Sequence, residues 1–205
     1  MSTGNVQPMH LMQAISNFGN AAILFPLSLI VAGAIWRFQS RMAAAWFLGT
    51  VTLCAAVIAV LKIAFATCSY AWGTDIVSPS GHASLSTMFY GSLMLVVARQ
   101  VRPWQQAVIV VAACGLIAAV AVSRIVLRAH SPAEVAIGLS VGAAACALFA
   151  VQYLRRPTPP LNLALLTALS VAAILALHDT HVHAEHAVRR IAPWLREWTG
   201  VCAHP

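Results

Sequence analysis

The sequence predicts an all-α fold, a polytopic membrane bundle of six transmembrane helices in a single domain. Of 205 residues, 60% are hydrophobic and 8% are charged, against roughly 25% charged in an average soluble domain. Mean hydropathy is +0.82. Apolar runs of about 20 residues, the length a helix needs to cross a bilayer, follow one another from residue 19 to residue 178 with short breaks.

Taken in order, the chain opens with an N-terminal segment, residues 1–18. Met1 to Asn17 contains no Lys or Arg and no small-residue cleavage site, so it does not read as a signal peptide. The spans are expected at about 19–36, 42–65, 82–98, 105–123, 133–154 and 161–178. Arg37 and Arg41 follow the first, Arg99 and Arg102 the third, Arg155 and Arg156 the fifth. These three connections lie on one side, and the positive-inside rule makes that side the cytoplasm. The loops at 66–81 and 124–132 then face outward. The expected location is the plasma membrane (the inner membrane of a bacterium), multi-pass, with the polar loops toward the periplasm or exterior. Residues 155–160 are a rigid, proline-rich connector. Residues 179–205 form a histidine-rich juxtamembrane tail containing His181, His183 and His186, just after His178. We read it as a solvated helix with an interfacial stripe of Ile191, Trp194, Leu195 and Trp198 rather than as a metal site.

The net charge of +7 is dispersed in arginine pairs instead of a stripe. It fits membrane lipids as partners and no nucleic acid. Gly138 and Gly142 give the GxxxG spacing that lets helices approach closely, within the fold or across a homodimer. The five cysteines show no CxxC spacing. Cys54, Cys114 and Cys146 read as packing residues, and Cys68 and Cys202 as unpaired thiols, although an oxidising compartment would let these two pair.

The few charges carry the functional signal. Lys62 is the single lysine, and Asp75 and Glu134 are the only acids before residue 179. Charges held beside hydrocarbon cost several kcal/mol on most scales, so those kept there usually perform chemistry or transport. In the first polar loop Pro79 can open a helix with Ser78 as its N-cap. Ser80, Gly81 and His82 would then present amides at a helix N-terminus, a ready anion site. In the second, Ser131-Pro132-Ala133-Glu134 is a capping box, with Ser131 the N-cap and Glu134 at N3. His130 sits just outside that helix, where Glu134 can hold one imidazole nitrogen and leave the other reactive.

Lys62, Pro79-Ser80-Gly81-His82 and Ser123-Arg124-x5-His130-x3-Glu134, in that order, resemble the type 2 phosphatidic acid phosphatase superfamily, which also includes vanadium-dependent haloperoxidases. The family pattern is Lys-x6-Arg-Pro, Pro-Ser-Gly-His, then Ser-Arg-x5-His-x3-Asp, and the resemblance covers residues about 58–142. It implies His130 as a nucleophile forming a phosphohistidine, His82 as general acid, and Glu134 as the group orienting His130. Lys62, Ser80, Gly81 and Arg124 would hold the phosphate oxygens, with Ser123 supporting the loop. Ser69 and Tyr70 depart from the family's Arg-Pro, and Glu134 from its Asp. Arg128, one turn beyond Arg124 if that stretch is helical, could replace the missing cation.

The expected activity is a metal-independent, cofactor-free membrane phosphatase. Its substrate would be a lipid phosphate or pyrophosphate, of the undecaprenyl pyrophosphate, phosphatidylglycerophosphate or phosphatidic acid class. A lipid phosphotransferase on the same site, an intramembrane serine hydrolase using Ser80, and a lipid or anion transporter are the alternatives.

Overall fold

The computed structural model describes residues 6–68 and 76–177. Ser69, Tyr70, Asp75, Cys202 and the histidine-rich tail from His178 onward lie outside them. The described residues form α1 (Val6–Asn17), α2 (Ala21–Phe38), α3 (Arg41–Cys68), α4 (Gly81–Ala98), α5 (Pro103–Val126), α6 (Pro132–Leu154) and α7 (Leu163–Leu177). The last six coincide with the expected spans to within a few residues. Among the described residues, five stretches are long and apolar enough to cross a membrane: Met9–Phe38, Arg41–Cys68, Gly81–Ala98, Pro103–Val126 and Pro132–Leu154. The apolar helix α7 is described over 15 residues.

Local chemistry sets the helix starts. Asn20 caps α2, its Oδ1 accepting from the amide of Ala22 at 3.0 Å. Pro103 and Pro132 occupy first-turn positions of α5 and α6, where the missing N–H costs nothing. The α6 capping box forms as the sequence specifies. At α4 the cap is Ser80 and not Ser78, because the Ser80 hydroxyl accepts from Ala83 N at 3.4 Å. Helix α1 was not legible as a helix; it packs against α5.

The core lies among α2, α3, α4, α6 and α7. Phe47 meets Phe149 edge-on at 5.4 Å, and Tyr153 stacks on Phe149 at 5.1 Å. At one end, polar groups tie the arginine-bearing connections together. Tyr153 Oη donates to Gln39 Oε1 (3.0 Å), Gln39 Nε2 to the Pro159 carbonyl (3.1 Å), and Arg99 Nη1 to the Leu154 carbonyl (3.2 Å). The three connections expected on one side are therefore gathered at one end. The polar loops meet at the other.

Helix α6 lies against α4 through Gly138 and Gly142. A Cβ at Gly138 would run into the Ser80 carbonyl and come within 3.3 Å of Ala83 Cβ; one at Gly142 would run into the Ser84 carbonyl and sit 2.7 Å from Thr87 Cβ. The GxxxG pair is thus used inside the chain. Farther along the seam, a Cβ at Gly91 would lie 2.8 Å from Cys146 Sγ. Cys54, Cys114 and Cys146 are free, as expected. Cys68 is disulfide-bonded, which corrects its reading as an unpaired thiol.

Candidate active site

Glu134 joins the two polar segments. It stands at the third position of α6, 7% exposed, and four donors converge on it. Oε1 accepts from the amides of Val77 (2.9 Å) and Ser78 (2.7 Å). Oε2 accepts from the amide of Ser131 (3.0 Å) and from His130 Nδ1 (3.2 Å). One carboxylate therefore completes the capping box, fixes the segment leading into α4 and holds the imidazole. The amide of Ser80 also donates to the Glu134 carbonyl at 3.0 Å. Residues more than fifty positions apart are stapled together at a single point.

Three backbone amides donate to this carboxylate and favour its ionised form, which accepts from His130 and so places the imidazole proton on Nδ1. In the neutral imidazole Nε2 then keeps its lone pair. The His130 side chain is 2% exposed, so charge near it is poorly screened by water.

From α3, Lys62 reaches the same place. Its ammonium donates to Ser78 Oγ at 2.9 Å, and its Cε would lie 3.5 Å from a Cβ added at Gly81. The lysine stem therefore runs beside the start of α4, where the amides of Gly81 and His82 project from a helix N-terminus. Ser80 is fully buried and His82 half-buried. Ser78, expected to cap a helix, instead receives the lysine.

The C-terminal end of α5 supplies the second cation. Ser123 is fully buried and its hydroxyl donates to the Val120 carbonyl at 2.7 Å, a local bond that fits a supporting role. Arg124 follows in the last turn. Its carbonyl accepts from Ala129 N (3.0 Å) and His130 N (3.3 Å), so the backbone that carries His130 is anchored to Arg124. Between them the chain turns through Arg128, which has a φ of 52°. The helix ends at Val126, so Arg128 is not one helical turn beyond Arg124 as the sequence suggested. It is an exposed turn residue in a left-handed conformation that costs a non-glycine residue about 1 kcal/mol or more. The guanidinium of Arg124 donates from Nη1 to Ser16 Oγ at 2.8 Å. Ser16 was not singled out in the sequence; a lone hydroxyl in an unannounced helix gave no signal beyond the polar cluster Ser16, Asn17 and Asn20.

The structure thus brings Lys62, Ser80, Gly81, His82, Ser123, Arg124, His130 and Glu134 to one end of the bundle, with Arg128 on the exposed turn. Cations, a helix N-terminus and an oriented imidazole can bind an oxyanion and attack its central atom. Among the described residues, the donor set does not suit a divalent metal. Glu134 is the only carboxylate among the described residues, and its acceptor positions are occupied, whereas hard cations take several oxygens.

Comparison with known proteins bears on these residues directly. The chain is 31% identical over 154 residues to an uncharacterized 22.5 kDa protein in the cps region of Klebsiella pneumoniae, an overlap of 72% of this chain and 71% of that protein. No solved structure matches. The model of the PAP2 superfamily matches residues 60–158, a stretch that contains Lys62, the loop before α4 and the whole Ser123–Glu134 segment. The chain belongs to the PAP2 superfamily, a family composed generally of phosphatases.

Proposed function

We propose that this membrane protein is a metal-independent phosphatase that hydrolyses a lipid phosphate or pyrophosphate through a phosphohistidine. The observation that carries the reading is the Nδ1 contact of His130 with Glu134, which leaves Nε2 as the nucleophile. Nε2 attacks phosphorus, the bond from phosphorus to the leaving oxygen breaks, and His82 gives that oxygen a proton. Water, losing a proton to His82, then attacks phosphorus, the P–N bond breaks, and inorganic phosphate leaves with His130 restored. Lys62, Arg124, Ser80 and the amide of Gly81 neutralise the equatorial oxygens, Arg128 adds charge at the exposed turn, and Ser123 supports it. Phosphoryl transfer mainly needs positioning and charge neutralisation, which this set supplies without a metal.

The site lies at the end of an apolar bundle, so an amphiphile can keep its tail in lipid while its phosphate reaches the loops. The gathered arginine connections at the opposite end favour an outward-facing site. The disulfide at Cys68, on the site's end of α3, is in keeping with an oxidising compartment.

The test is phosphate release by the purified protein in detergent against a panel of lipid phosphates and pyrophosphates, with His130→Ala as control. Release by the wild type that survives EDTA and disappears in His130→Ala is expected. Loss of activity to EDTA with restoration by Mg²⁺ would refute the metal-free mechanism, and His130→Ala acting at the wild-type rate would refute the nucleophile.

A further inference from the structure

Three contacts run from the junction of α1 and α2 into the site. Ser16, 3% exposed, accepts the 2.8 Å hydrogen bond from Arg124 Nη1. The carbonyl of Phe18 accepts from Tyr90 Oη at 2.9 Å. Gly19 is pressed against α4 and α5. A Cβ there would lie 3.0 Å from His82 Cβ, 3.1 Å from the His82 carbonyl oxygen and 2.8 Å from Val120 Cγ1. None of the three belongs to the motifs around Lys62, His82 or His130.

The Ser16 contact differs from the local hydroxyl contacts within the helices and parallels the one that Lys62 makes with Ser78. Ser28, Thr67 and Ser140 each donate to the carbonyl four residues earlier in their own helix, the usual local use of a helical hydroxyl. Ser16 accepts from a cation on another helix, across 108 positions of sequence. Ser16 thereby gives a guanidinium on a long, rotamer-rich stem a neutral acceptor that orients it.

We infer that Ser16 is a positioning residue for Arg124, and that α1 with its turn forms a third wall of the site, with Gly19 seating the backbone of His82. The inference rests on the phosphatase reading above. It assigns a role to a segment that lies outside the stretch matched by the family, residues 60–158.

The experiment compares wild type, Ser16→Ala, Ser16→Thr, Arg124→Gln and the Ser16→Ala/Arg124→Gln pair in detergent. Phosphate release and the affinity for inorganic vanadate, measured by calorimetry so that no turnover is needed, are the readouts. Ser16→Ala is expected to weaken vanadate binding and kcat/KM by roughly 10- to 100-fold, the scale of one charge-assisted hydrogen bond. Ser16→Thr, which keeps the hydroxyl, should stay within a few-fold of wild type. Ser16→Ala should add nothing once Arg124 is Gln, which a merely structural role would not predict. Wild-type vanadate affinity in Ser16→Ala, or additive losses in the pair, overturns the inference while leaving the phosphatase intact. A wild type that neither releases phosphate nor binds vanadate overturns both.

Discussion

Replacing Glu134 by Gln tests the staple on which the site depends. The side chain keeps its shape, yet one accepting oxygen becomes a donating NH₂. Whichever way the amide turns, two donors lose their acceptor. With one orientation these are the amides of Val77 and Ser78, with the other the Ser131 amide and His130 Nδ1. Leaving a buried donor unsatisfied costs roughly 1–3 kcal/mol, so the pair costs roughly 2–6 kcal/mol at this junction. Catalysis suffers separately. If Nδ1 loses its acceptor, the proton is free to move to Nε2 and the nucleophile is masked. Where a carboxylate holds a catalytic imidazole in a serine protease, the matching amide substitution costs about 10⁴ in kcat. Thermal unfolding in detergent and phosphate release on the same samples separate the two effects. A lowered melting temperature with kcat reduced by about 10²-fold or more in protein that remains folded is expected. Glu134→Gln that is folded and turns over at the wild-type rate would refute the account of how His130 is oriented.

Further outcomes follow from the same geometry. Gly142→Ala drives a methyl into the Ser84 carbonyl and against Thr87. It should lower stability by about 1–3 kcal/mol and reduce phosphate release, which a melting curve and a rate measurement on one preparation will check. His82→Ala should slow turnover by about 10²–10⁴-fold while a ³²P-labelled substrate still labels the protein, and His130→Ala should abolish the label. Arg124→Ala should impair turnover severely and Arg128→Ala mildly, since Arg124 is half-buried with its guanidinium held by Ser16 whereas Arg128 is exposed; unchanged activity in Arg128→Ala would remove it from the phosphate-binding set.

The spans were legible because hydropathy and length are strong one-dimensional signals in a bilayer protein. The α6 capping box was legible for a similar reason, since Ser131, Pro132 and Glu134 act on one another locally. The start of α4 was less so. Ser78 and Ser80 both flank Pro79, and only tertiary placement decides that Ser80 caps while Ser78 takes the lysine. The second use of Glu134 rests on backbone amides of Val77 and Ser78, which no side-chain pattern can reveal. Arg128 misled because the same residues fit a helix or a turn, and the chain bonds two amides back to the Arg124 carbonyl instead of continuing the helix. Ser16 went unread because its contact spans the whole fold.

The glycine seam has one more consequence. At Gly138 and Gly142, α6 touches α4 so closely that not even a methyl fits between them. No hydrocarbon chain can pass through that crevice. Under the proposed function, an amphiphile docked by its anionic head must splay its tail over a different flank, and the wall beside His130 stays sealed against lateral intrusion.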